Sequence, residues 1–317
     1  MKTKLSALAW SSLAVSGLLA IGATTPALAA YPEKPITVMV GFSAGGGADT
    51  LARLVAKAAE KSLGQPIVVE NVAGGGGVVA ATKIKNAAAD GYTIGMSVTS
   101  TFSYAPLASQ TVKYEVADFD YLSSVAALQN AVITRSDAPF STFQEMVAYG
   151  KSHGPLSFAS SSPVVKLTMD YAGANAGIEF KIVPVKGGAE VIKDVMGGHM
   201  DLGWSAGIHQ KFGDKIKVLA AVGNKRLKSS PDVPTLRELG VNVGSENYFL
   251  FFAPKGMPSD RLSQLTQAFA QAAQDPQVKA LAQDKLGFPV EVVTSADLRA
   301  HIDESVDNYR RLLGLTK

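Results

Sequence analysis

The chain has 317 residues, 47% hydrophobic and 18% charged, and contains no cysteine. That composition excludes wholesale disorder, and the missing cysteines exclude disulfides, thiolate catalysis and cysteine metal sites. A formal charge of only +3 gives no support to nucleic-acid binding, which favours a concentrated basic face.

At the start, Lys2 and Lys4 precede the apolar run "LSALAWSSLAVSGLLAIG", and Ala27–Ala29 supplies a small-x-small cleavage site. Residues 1–30 read as a cleavable export signal; the serine-broken run is short for a membrane span. A cysteine-free exported chain suits a bacterial periplasm, where disulfides are permitted but not required.

"ITVMVGF" is the first strand. Leu51, Leu54, Val55 and Ala58 then recur at helical spacing, and Gly64 closes that helix. "PIVVENV" is the second strand, a glycine-led helix runs to Gly91, and "YTIGMSV" is the third strand. The unit is β-α-β-α-β, one half of a doubly wound α/β sheet. "DYLSSVAALQNAVITRSD" is a long β-rich run that leaves this lobe.

A new helix follows, with Ser141 as N-cap and Gln144 three residues on, a capping-box spacing. The strand–loop–helix scheme then repeats through "LSFAS", "FKIVPV", "MDLGWSA" and "KIKVLAAVG". A second β-rich run, "SENYFLFFAPKG", crosses back, and the tail is helical apart from a short strand "PVEVV". The pattern predicts a clamshell. Residues 31–130 plus 252–317 form one lobe and 131–251 the other, with crossing strands at about 122–135 and 245–254.

In open α/β sheets, ligands sit beyond the carboxyl ends of the strands. The loops there are "GFSAGGGAD", "TSTFS" with Thr99, "ASSSP", "VKGGA" with Gly187, and "WSAG" with Trp204 and Ser205. Gly41 and Gly46 have phosphate-loop spacing, but Gly47 and Ala48 stand where Lys and Ser/Thr are required. Gly75–Ala80 fits a relaxed dinucleotide pattern, yet the next strand runs into Thr99 and Ser100 with no acid for a ribose. No cofactor is expected, and Gly74–Gly77 read as a tight packing turn.

What remains is an anion cradle. Gly45, Gly46 and Gly47 let backbone N–H groups point outward at a helix N-terminus. Asp49 acts as a cap in the first helical turn rather than as a catalyst. Ser160, Ser161 and Ser162 offer hydroxyls before Pro163 in the other lobe. Lys166, one turn on, is either a ligand contact or a solvated helix lysine.

None of His153, His199, His209 and His301 has metal-ligand spacing, and no G-x-S-x-G elbow occurs. A metal site is not expected. The enzymatic alternative is a hydrolase using Ser161 or Ser162 with a histidine across the cleft.

The start "YPEKPI", Gly45, Gly46, Asp49, Ala52 and Arg53 in "GG-x-x-D-x-x-AR", "GQP-x-VVEN", "DGYT" at Asp90–Thr93 and "PDVPTLRELG" occur in order. In these motifs the chain resembles the substrate-binding proteins of tripartite tricarboxylate transporters, the Bug-type receptors, from Tyr31 to its C-terminus. The resemblance implies an α/β two-lobed periplasmic binding protein of the type II, Venus-flytrap kind with two crossing hinge strands. It implies a monomeric non-enzymatic receptor, located in the periplasm, that closes on a small mono- or dicarboxylate, aromatic acids included. That acid would then pass to the membrane subunits of the transporter. A sensor feeding a two-component system would share the same fold and site.

In that family the first-lobe loop and its second-lobe counterpart hold a carboxylate, partly through ordered waters. Carried over, these are Phe42, Ser43, Ala44, Gly45 and Gly46, and Ser160 to Ser162. Lys166–Leu167 replaces the family's "HL", Val185–Lys186–Gly187 replaces "YKG", and the usual glycines among the serines are missing. The second lobe is therefore where an unusual acid would be selected, with Lys166, Trp204 and Ser205 as determinants. Trp204 has core packing as its competing role.

Overall fold

The computed structural model describes residues 31–185, 187–243 and 246–315. The expected export signal, Lys186 and the first residue of the second crossing strand lie outside the described residues.

In chain order the elements are β1 (Ile36–Val40), α1 (Gly47–Leu63), β2 (Ile67–Asn71), α2 (Val78–Lys85), β3 (Thr93–Val98), the short α3 (Thr99–Ser103) and α4 (Ala105–Ala108), and β4 (Phe119–Ala127). Then come β5 (Ala131–Arg135), α5 (Phe143–His153), β6 (Leu156–Ser160), α6 (Val164–Ala176), β7 (Phe180–Pro184), α7 (Gly188–Met196), β8 (Leu202–Ser205) and β9 (Ile216–Ala221). The chain closes with β10 (Tyr248–Pro254), α8 (Ser259–Gln274), α9 (Pro276–Ala280) and α10 (Ser295–Leu312).

Two five-stranded sheets result, ordered β2-β1-β3-β10-β4 and β7-β6-β8-β5-β9. Each has a parallel trio plus an antiparallel fourth strand, β10 in one and β5 in the other. Short apolar strands that alternate with helices can pair in parallel only when helices cover both faces. Accordingly Ile36, Val38 and Val40 of β1 are fully buried, as are Leu51, Ala52, Val55 and Ala59 on one stripe of α1.

β4 and β10 are buried along their whole length. Phe119 and Tyr121 of β4 and Phe252 of β10 interlock edge to face with Phe102 of α3, and the paired centroids lie 4.7–5.3 Å apart. Such pairs add about 0.5–1.5 kcal/mol each beyond their burial.

Four local readings change. The long β-rich run is two strands, broken at Leu128–Asn130, where the chain passes from one sheet to the other. β10 lies wholly in the first sheet, so the chain has returned by Tyr248 and an expected boundary near residue 251 falls inside a strand. "PVEVV" forms no strand; it runs along the edge of β4 with a single bridge, Val290 to Ala126, and the following Thr294 bridges Ser123. The cap of α5 is Thr142, whose Oγ1 accepts from Glu145 N–H at 3.2 Å. Glu145, not Gln144, reaches back, to Ser141 N–H at 2.7 Å. A second cap candidate one residue away defeats the spacing argument.

Where the chain crosses, Leu128 N–H donates to Asn247 O at 2.8 Å, so the outgoing and returning segments lie side by side. α10 also spans both lobes. Leu298 and Ile302 pack with the first-lobe aromatics, and Tyr309 belongs to the second-lobe core.

Candidate functional site

The parallel trios end at their carboxyl edges in the loops singled out above. In the first lobe Phe42 is half-buried and Ser43 to Gly46 are exposed. Gly45 has φ +77, the left-handed region that glycine enters at no steric cost. Its N–H donates to Asp49 Oδ2 at 2.8 Å. The N-cap of α1 is Gly46, so the Asp49 carboxylate serves a loop N–H just outside the helix rather than a helical one. Gly45 N–H is thereby turned toward Asp49 and withdrawn from the outward-pointing cradle expected of it.

The other Asp49 oxygen accepts from Arg53 Nε and Asn71 Nδ2, both at 2.9 Å. Asn71 also donates to Phe42 O at 3.1 Å. Strand register explains the meeting, because Asn71 pairs with Val40, the last residue before the loop. Burial works against the Asp49 charge, but the Gly45 N–H, the Asn71 amide and the Arg53 guanidinium outweigh it and hold the carboxyl below its ordinary value.

The loop Gly74–Gly77 is a packing device. A Cβ on Gly77, at φ +97, would lie 2.1 Å from Ser97 Oγ, and one on Gly41 would lie 2.8 Å from Gly77 Cα. The two glycine-rich loops touch back to back, and Thr101 Oγ1 donates to Gly76 O at 2.7 Å. Thr99 is buried, and its Oγ1 accepts from Tyr248 N–H at 3.0 Å.

In the second lobe Ser160 is buried, and its Oγ accepts from Ser162 N–H at 3.1 Å. Ser161 is exposed and Ser162 half-buried. Gly187 is half-buried as the N-cap of α7. Lys166 is exposed on α6 and paired with Asp170 at 2.6 Å, the solvated alternative. Trp204 is in the core, with Nε1 donating to Asn130 Oδ1 at 3.2 Å.

Ser205 is fully buried. Its Oγ accepts from Gly207 N–H and His209 N–H at 3.3 and 3.2 Å, and lies 2.8 Å from His209 Nδ1. With its lone pairs so used, the hydroxyl gives its proton to Nδ1. Burial pushes the His209 pKa down to about 4, so the imidazole is neutral at neutral pH. This serine–histidine contact is sealed from any substrate. Among the described residues no hydrogen bond joins Ser161 or Ser162 to a histidine, so the geometry a hydrolase needs is not assembled there. No group of three His, Asp or Glu is placed to hold a metal among the described residues.

The loops of the two lobes meet. Tyr104 Oη donates to Pro163 O at 3.4 Å, and a Cβ on Gly76 would lie 3.7 Å from the Pro163 ring. Phe288 wedges between Gly47 and Gly207, where a Cβ would come within 2.9 and 3.1 Å of its ring. Tyr104, Asn71 and Phe288 were not singled out from sequence. Asn71 could have been, as a polar residue ending the strand beside the loop; Phe288 lies more than two hundred residues from Gly47 and carries no local signal.

The assembled groups are backbone N–H groups at helix starts and serine hydroxyls, with Arg53 and Lys166 each spent on a carboxylate. Neutral donors at helix starts form a ready anion-binding site.

The family profile described as tripartite tricarboxylate transporter family receptor matches residues 51–315. A Cupriavidus necator protein named for the gbd 5′ region is 33% identical over 254 residues, covering 78% of this chain and 76% of the relative. Among solved structures, the periplasmic binding protein BugD is 28% identical with TM-score 0.77, covering 90% of this chain and 98% of its own. MatC from Rhodopseudomonas palustris with bound malate is 26% identical with TM-score 0.77, covering 89% of this chain and all of its own.

Proposed function

Because the chain belongs to the tripartite tricarboxylate transporter receptor family, we propose that it captures a small mono- or dicarboxylate between its lobes and hands it to the transporter's membrane subunits. It would act in the periplasm as a monomer, after loss of residues 1–30. The observation that carries this reading is the pair of helix-start loops, Ser43–Gly46 before α1 and Ser160–Ser162 before α6, one at the end of the middle parallel strand of each sheet. Both are built from neutral donors at helix starts, and Tyr104 of the first lobe reaches Pro163 O beside the second loop. The malate held by MatC is an acid of the expected class.

The exposed and half-buried groups are the ligand contacts in this reading: Phe42, Ser43, Ala44, Gly46, Ser161, Ser162 and Gly187. Gly45, Thr99, Ser160, Trp204 and Ser205 shape the pocket from behind, because their polar groups are committed within the protein. Lys166 acts only through its long-range charge. Calorimetric titration with a panel of carboxylates, malate first, is expected to find at least one acid binding at micromolar concentration. A panel in which no acid binds at millimolar concentration overturns the reading.

A further inference from the structure

Three segments join the lobes, and each brings an asparagine to one place. Asn130 comes from the outgoing crossing, Asn247 from the returning one and Asn308 from α10. Together with Thr168, Trp204 and Tyr309 they line a cavity of about 20 Å³. Their carboxamide oxygens are committed in different directions. Asn130 Oδ1 accepts from Trp204 Nε1 of the second lobe at 3.2 Å, and Asn247 Oδ1 from Ser100 N–H of the first at 3.3 Å. Asn308 Oδ1 accepts from Arg311 at 2.7 Å. Asn308 Nδ2 is buried and has no protein partner.

An amide nitrogen left unpaired in the interior costs about 1–3 kcal/mol, so such groups are rare in native proteins. A polar cavity holds a water once it offers roughly 10–15 Å³ and two to four polar partners. The node satisfies both conditions. We propose that the hinge binds one structural water among Asn130, Asn247 and Asn308, and that this water is the pivot on which the lobes turn. A water accepts and donates over a wide range of angles. It keeps the carboxamides satisfied while the two crossings twist against each other, which direct side-chain bonds of fixed geometry would resist.

The site itself is tested by crystal structures of the full chain, free and with malate. An ordered water at hydrogen-bond distance from Asn308 Nδ2 is expected in both; a dry node, or Nδ2 paired with protein, overturns the site. The pivot role is tested with Asn308→Leu, which fills the cavity with apolar atoms. This arm rests on the proposed carboxylate capture. In a Trp10→Phe background Trp204 is the sole tryptophan, so its fluorescence reports the hinge after rapid mixing with malate. The leucine variant is expected to slow both association and dissociation at least about threefold while Kd stays within about twofold, because the pivot exists in both end states. Unchanged rates, or a change confined to one direction, overturn the pivot. Asn308→Ala, which removes the donor and leaves the space, is the second variant should the leucine form fail to fold, and carries the same expectation. If wild type binds no acid, the capture reading fails, and the water density alone decides the node.

Discussion

The glycine loop of the first lobe and the serine loop of the second end equivalent strands and open equivalent helices, yet they are held differently. Behind Gly45, the Asp49 carboxylate and Arg53 guanidinium of α1 meet the Asn71 amide of β2, so two elements converge on the loop. Around Ser160, a hydroxyl bonds an N–H two residues away. Side chains from two elements hold the first loop, whereas the Ser160 side chain serves only its own turn and the loop's outside tie is backbone, Val185 N–H donating to Ser160 O at 2.9 Å. A cradle held by side chains from other elements suits a constant feature of every ligand, and a loop whose side chains serve only its own turn can exchange them without disturbing its lobe. Under the proposed carboxylate capture, we infer from this contrast that ligand discrimination falls to the second lobe.

The strongest way to break this contrast is at the back of the first cradle. Gly77→Ala forces a Cβ to within 2.1 Å of Ser97 Oγ at φ +97, and a loss of about 3 kcal/mol or more is expected in urea unfolding. A loss under about 1 kcal/mol would mean that the loop is loose and the rigid-cradle argument is wrong.

In the second lobe the sensitive element is buried His209. Its folded pKa of about 4 lies below the ordinary 6.5, so the unfolded chain binds the proton first as pH falls. The stabilisation is complete above pH 6.5 and declines toward pH 4 by up to about 3 kcal/mol. His209→Asn should flatten that window relative to wild type; parallel curves would show the imidazole to be hydrated.

Asp49→Ala removes three bonds from the first loop and is expected to cost about 2 kcal/mol. The folded carboxyl sits below its ordinary 3.8. Its contribution is therefore whole above about pH 4 and disappears as pH drops through the folded value, so the deficit of the variant should shrink in acid. Ser160→Ala should cost least, about 1 kcal/mol, because only a local turn is lost. If it destabilises as much as Asp49→Ala, the two loops are held alike after all.

The alternation of apolar runs and helical periodicity made both sheets readable, since burial on both strand faces leaves a pattern that depends only on nearby residues. The loops were readable as places because topology puts them at strand ends. Side-chain commitments were not. Ser43, exposed, and Ser205, fully buried, look alike in sequence, and only register decides which faces solvent. Lys166 carried two readings until Asp170, one turn on, was seen to hold it. The cap of α5 moved by one residue because Ser141 and Thr142 are chemically equivalent candidates. Contacts across great separations, such as Phe288 against Gly47 or Asn308 beside Asn130, leave no local pattern.

The position of β10 in the first sheet, between β3 and β4, has a consequence for how the protein is made. β5 to β9 are consecutive in the chain, so the second sheet has every strand as soon as residue 221 has emerged. The first sheet waits, with the inner edges of β3 and β4 both bare, until Tyr248–Pro254 arrives to join them. A bare edge invites pairing with other chains. The lobe that begins first is thus completed last, and a chain stopped between residues 222 and 247 carries one finished sheet and one open for aggregation.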